Sequence, residues 1–369
     1  MGNSDSWFEE LEKRLLGLFS QPTTPPAPHP APQPPLDDSL KPLSPRVLML
    51  IFDPIIDPAA GTRLSQSKYA QGWSRVDDLI AGYIADVSAC SGGLVQYHEV
   101  GRQVIDEFPL RDSGQRYDAA TYVQIREGKL KANEQDLMNY PAFVNEFNLA
   151  QRATNQEFDE VWMFGFPFAG FSESRMIGHG AFFVNGDPVE MPGRRFVIMG
   201  FNYERGVGEM LEDLGHRSEF TMAQVFGSLN FLVWAYNHGR SPAQVDPAKL
   251  AGLNLFQRFI LFDQIAPQHS NVGLLHYAPN SPSDYQWGVP TPVQSCADDW
   301  LAFPNLPTPP NYRTMTCADW GNGEIRGHHK WWLQRMPKVA GNTNGILNNW
   351  WEYIIQCDSH LLDHLPPQQ

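Results

Sequence analysis

The stretch RFVIMGFNYERGVGEMLEDLGHRSEF, residues 195–220, decides the fold. It opens with a continuous apolar run over residues 196–201, the pattern of a strand buried on both faces. The run breaks abruptly at Asn202-Tyr203-Glu204-Arg205-Gly206. A helical period follows from Val207 and carries Glu209, Glu212, His216 and Glu219. At roughly 100° per residue, these four side chains fall within about one quadrant of a helix. Strand, polar turn, then a helix with carboxylates and a histidine is a common way for α/β enzymes to build a site.

The same alternation extends outward. Residues 46–52 (RVLMLIF), 94–100, 158–166 and 272–277 (VGLLHY) read as further strands, and residues 74–88, 139–153 and 247–262 as helices. The expected fold is therefore a three-layer α/β domain, a mostly parallel sheet with helices on both faces. Beyond residue 278 periodicity fades and Pro, Asn, Gly and Trp dominate, which predicts an irregular, aromatic-rich C-terminal cap. Residues 6–20 show apolar positions at helical spacing behind a Ser6/Glu9 capping box, and a proline-rich tract follows. The division is thus an amphipathic helix in residues 1–21, a linker in 22–45 and one α/β domain in 46–369. The tethered helix is expected to dock on a protein partner or a membrane surface, the alternative being that it folds back on the domain.

The formal charge of −14 argues against a nucleic-acid binder, which needs a basic surface to neutralise phosphates. No stretch approaches the length of a membrane span and no signal pattern opens the chain, so a cytoplasmic protein is expected. The four cysteines form no CxxC pair, which disfavours a zinc ribbon. Cys296 and Cys317 flank one loop and would form a disulfide only in an oxidising compartment.

In an open parallel sheet, ligands bind beyond the carboxyl ends of the strands. Those ends deliver Asp53, then Glu173 and Arg175, then Asn202, Glu204 and Arg205, and finally His276 followed by Asn280. Glu173, Glu204 and Glu209 are candidate acid–base carboxylates, and Arg175 and Arg205 candidate anion or oxyanion partners. Asp53, Asn202 and Asn280 are candidate substrate contacts, as are His328, His329 and Trp331 in the dense motif HHKWW. On the helix, two pairings stay open. A helix running through Gly215 pairs Glu212 with His216; a helix stopping there leaves His216-x-x-Glu219, with His276 as a distant third ligand.

The second pairing resembles the zinc motif of the metallocarboxypeptidases, in which His-x-x-Glu precedes a third histidine from a later strand. The resemblance covers His216, Glu219 and His276, and it implies a divalent metal, zinc by preference. Here the motif follows a helical pattern, whereas in that family it follows a strand. MGFNYERGVGEMLEDLGHR, DEVWMFGFP and HHKWW are also similar to an uncharacterised family of bacterial α/β proteins, over roughly Val47 to Tyr353. That similarity implies no activity. The expected function is a metal-assisted hydrolase acting on a small polar, peptide-like or glycan-like substrate. Its rivals are a metal-free glycoside hydrolase or carbohydrate binder, and a non-catalytic scaffold docking through its N-terminal helix.

Overall fold

The computed structural model describes residues 39–237, 244–359 and 362. The expected N-terminal helix and linker residues 22–38 lie outside them. The central sheet comprises β1 (Arg46–Phe52), β2 (His98–Ile105), β3 (Glu160–Gly165), β4 (Ser174–Ile177) and β5 (Phe196–Asn202). Their order is β2-β1-β3-β5-β4. All neighbours are parallel except the edge pair β4–β5. β1, β3 and β5 occupy the centre and are apolar because helices cover both their faces.

The register identifies those faces. Trp162 lies beside Met199 and Phe164 beside Phe201, so these four side chains share one face. Tyr83 of α1 (Val76–Cys90) packs edge-on against Trp162 there, with ring centroids 5.0 Å apart. On the other face Phe52 meets Phe143 at 5.9 Å. Phe143 belongs to α3 (Tyr140–Glu146), which follows α2 (Ala119–Arg126) and precedes α4 (Leu149–Thr154). The three-layer architecture is the one expected.

Several elements differ from expectation. The second strand lies at 98–105, not 94–100, because it is an edge whose residues are largely exposed and carry little apolar signal. The helix expected over 139–153 is split in two by Asn148, whose φ is 52°. The helix expected over 247–262 is a 3₁₀ segment, Pro247–Gly252, followed by a short helix, Leu255–Phe259. Residues 272–277 are no strand. Gly273 has φ 86°, and Leu274 and Tyr277 bond each other's backbone at 2.9 and 3.1 Å in a tight turn. The segment is apolar because Val272, Leu274 and Leu275 fill the core, not because it joins a ladder. The fifth strand is instead β4.

α5 (Val207–Val225) follows β5, α6 (Leu229–Asn237) continues from it, and α7 is Leu255–Phe259. The aromatic C-terminal region contributes α8 (Ile325–Gln334) and α9 (Trp350–Ile355), both packed against α5, so it forms part of the core as well as covering it. Phe259 is ringed by Trp300, Trp332 and Trp350 at 5.0–5.5 Å. Cys296 and Cys317 carry free thiols; Cys296 contacts Asn271 Oδ1 at 3.1 Å. Among the described residues, no helix is long and apolar enough to cross a membrane.

One surface-proximal clamp holds the amino ends of β1 and β5 together. Asp159 receives Arg46 Nε at 2.9 Å and Arg194 Nη2 at 2.8 Å. Burial pushes its carboxyl up, but the two guanidiniums win and bring it down to about 2 from its ordinary 3.8. A depressed carboxyl contributes stability that is present above its unfolded pKa and lost as pH falls through the folded one. Asp159→Asn is therefore expected to cost about 2 kcal/mol at neutral pH. Chemical denaturation from pH 7 down to about 2 should show the difference between the variant and the parent shrinking below pH 4. A constant difference would contradict the assignment.

Candidate metal centre

α5 is the helix on which the site is built. Gly206 caps it, and Glu209 Oε2 accepts the Gly206 backbone N–H at 3.0 Å. The helix is then buried around almost its whole circumference, which for an ordinary core helix means apolar residues throughout. Here Glu212, Asp213, His216, Arg217 and Glu219 are all buried. Buried ionisable groups must be paired, so their partners define what the helix does.

The helix runs straight through Gly215. A Cβ at that position would lie 2.5–2.9 Å from three atoms of the Leu275 side chain. Gly215 is thus a close-approach glycine, and its missing side chain lets the 272–277 turn press against α5. That contact carries His276 to His216. The two Nε2 atoms lie 2.9 Å apart. Glu212 Oε1 sits 3.1 Å from His276 Nε2 and 3.8 Å from His216 Nε2. One ligand atom from each of Glu212, His216 and His276 falls within 4.8 Å of the others.

Each imidazole is held from behind. His216 Nδ1 faces Glu219 Oε2 at 3.1 Å, and His276 Nδ1 faces Asp284 Oδ1 at 2.9 Å. Glu219 is fixed in turn by the Leu275 backbone N–H at 2.9 Å and by the Tyr236 hydroxyl. A carboxylate on Nδ1 takes that nitrogen's proton as a hydrogen bond and leaves Nε2 as the lone-pair donor. Two such lone pairs face each other across 2.9 Å beside a carboxylate, an arrangement that a proton or a metal ion shared by the two nitrogens satisfies. The residues present therefore fit a divalent metal, with two imidazoles and one carboxylate as donors and a carboxylate behind each histidine.

Without metal the cation is a proton. Burial disfavours the His216 imidazolium, but Glu212 and Glu219 outweigh it and hold its pKa well above the ordinary value. His276 is raised in the same way by Asp284 and Glu212. Burial pushes Glu212 up, yet the two histidines keep it well below the usual carboxylate range.

The expected ligand set is therefore revised. Glu219 stands behind His216 instead of beside the paired Nε2 atoms, and Glu212 takes its place. Glu204 does not converge with them: it is exposed, 3.9 Å from Arg126. Arg175 stacks on Tyr140 at 4.4 Å and bonds Ser172 Oγ at 3.0 Å. Asp53 clamps Ser65 through its N–H and hydroxyl at 2.9 and 2.7 Å. Asn280 donates to Val289 O at 2.9 Å. These contacts hold loops together. His328, His329 and Trp331 are buried in α8, and His328 stacks on Trp287 at 5.2 Å. Burial and neighbouring histidines push the His328 pKa well down, so it is a neutral core residue.

Glu173, Asn202, Arg205 and Glu209 do come together with Glu212, lining a cavity of about 550 Å³ beyond the carboxyl ends of β3 and β5. Phe166, Phe168, Phe171 and Tyr285 form its apolar walls. Burial raises the Glu173 carboxyl, and repulsion from Glu212 adds to the shift. Sequence reasoning missed Asp213, Tyr236 and Asp284. Only Asp284 carried a signal, an acidic residue in the loop just after His276.

Gly215→Ala is expected to push Leu275 away and with it the Glu219 and His276 contacts. Overpacking of this kind costs typically 1–3 kcal/mol. Zinc affinity should fall by at least about tenfold, as for loss of outer-layer support. Calorimetric titration and thermal melts of the variant check both; unchanged zinc affinity would refute the role given to Gly215.

No known protein family, curated protein or solved structure matches this chain.

Proposed function

We propose that the protein is a metal-assisted hydrolase whose reaction takes place in the cavity beside Glu212, His216 and His276. The observation that carries this reading is the pair of opposed Nε2 atoms, each imidazole backed by a carboxylate, beside Glu212, which also lines the polar cavity. A divalent ion held there supplies Lewis-acid polarisation and acidifies water. Zinc suits two imidazoles and one carboxylate with a position left for substrate.

The chain supplies the remaining roles. Glu173 faces the cavity and senses the charges of His216, Glu212 and His276. It is the candidate to take a proton from the attacking water and return it to the leaving group. Glu209 is the weaker candidate, since one of its oxygens already caps α5. The phenyl walls exclude water from the reacting bond and favour substrates with an apolar part.

The test is hydrolysis of a panel of amides, peptides and esters by protein stripped with chelator and then reloaded with zinc. The expected result is activity that disappears on stripping, returns with zinc and is lost in Glu173→Gln without loss of zinc binding. Activity untouched by chelator would overturn the proposal.

Zinc loading should depend steeply on pH. The raised pKa values of His216 and His276 mean that zinc must displace a bound proton. Affinity is therefore expected to rise with pH through the range where these groups titrate, with proton release on binding. Calorimetry in buffers of different ionisation enthalpy measures that release; a pH-independent affinity with no proton release would contradict it.

A further inference from the structure

Asp213 has no part in the arrangement described above. It follows the ligand Glu212 on α5, is 8% exposed and lines the same cavity. Among the described residues no hydrogen bond or ion pair engages its carboxylate, although every other buried charge on α5 has a partner. A buried carboxyl group with no hydrogen-bonded partner takes up a proton or a cationic ligand. Burial beside Glu173 and Glu212 raises its pKa and favours the proton while the cavity holds no ligand, and a cation that enters takes the proton's place. The surroundings specify that ligand's charge. Glu173 and Glu212 line the cavity with Asp213, and Glu209 and Asp284 add further negative charge near its walls. Arg205 is the cationic side chain of the lining. Aromatic faces from Phe166, Phe168 and Phe171 complete the enclosure, and such faces attract cations as well as apolar groups.

We infer that Asp213 anchors a protonated amine of the substrate, so that the cavity selects molecules carrying an ammonium group close to the bond that is cleaved. This rests on the reading of the cavity as the substrate site of a metal-assisted hydrolase. Asp213 and the ligand Glu212 line the same cavity, so the ammonium is held in the cavity that Glu212 borders. The substrate class is then an amino-acid amide or a peptide with a free amino terminus, not a neutral or acylated one. An apolar side chain next to the amine would lie against the phenyl walls.

The experiment uses L-leucinamide, protonated at its amine, and N-acetyl-L-leucinamide, which has the same side chain and no charge. Both are titrated calorimetrically into the full chain, once after chelator treatment and once with zinc restored. The expected result is at least tenfold tighter binding of the amine in both forms, weakening with salt. Asp213→Asn should abolish the preference while near-ultraviolet circular dichroism and zinc affinity stay unchanged. Asp213→Ser serves the same purpose should the amide variant fold poorly. Equal binding of the two probes, or a preference that survives both substitutions, overturns the assignment. So does a second equivalent of zinc that disappears in Asp213→Asn, since the carboxylate would then be a ligand of a paired metal centre. An amine preference in protein that binds no zinc would leave Asp213 as the anchor and remove the hydrolase reading instead.

Discussion

Replacing His276 with alanine is expected to abolish measurable zinc binding while leaving the fold in place. The turn that carries His276 is held by other contacts: Leu274 and Tyr277 bond each other, and Trp287 Nε1 donates to Leu275 O at 2.9 Å. Removing the imidazole deletes one of three donors and leaves His216 Nε2 without its counterpart. It also frees Asp284. The loss should exceed the ten- to hundredfold penalty usual for an outer-layer partner. Glu219→Gln supplies that comparison, because it keeps all three donors and weakens only the support behind His216. The pair is measured by competition with a chromogenic chelator. If His276→Ala binds zinc as tightly as Glu219→Gln, the donor set is wrong.

The second large effect concerns what holds α5 on the sheet. Arg217 and Glu160 are each about 1% exposed and lie 2.8 Å apart through Nη1 and Oε1. Trp162 Nε1 reaches the other carboxylate oxygen at 3.2 Å, and Arg217 Nη2 donates to Ile354 O. The pair thus ties α5 to β3 and α9. Arg217→Ala should cost about 3–5 kcal/mol, because it strands a buried carboxylate without its counter-charge. The double replacement Arg217→Met with Glu160→Leu should recover most of that loss, since apolar groups of similar volume leave nothing unpaired. Urea denaturation of the two variants distinguishes them. A single-variant loss below 1 kcal/mol, or no recovery in the double variant, would contradict this account.

The sheet was legible where both faces are buried. β1, β3 and β5 announce themselves as apolar runs, because nearly every position along them is buried. The edges were not. β2 is mostly exposed, and β4 has only four residues of mixed polarity. Residues 272–277 show the converse: a buried apolar run that is no strand, because burial alone does not require a ladder. The site was legible as residue types. His216, Glu219 and His276 all belong to the centre, but their order was decided by Gly215. A glycine there ends a helix or admits a close neighbour, and only Leu275, distant in sequence, determines which. His328 and His329 looked reactive because histidine next to tryptophan reads as a binding surface. At helical spacing beside Trp331 and Trp332 they are core instead. Asp213 stayed hidden because its importance lies in lacking a partner, which spacing cannot express.

The most direct test of the central claim is a zinc titration of chelator-treated protein, followed by X-ray absorption at the zinc edge. The account predicts one equivalent, bound by two imidazole nitrogens and a carboxylate oxygen at about 2.0–2.2 Å, and lost in Glu212→Ala and His216→Ala. Less than about 0.2 equivalents at saturating zinc, or binding that persists in both variants, would contradict it.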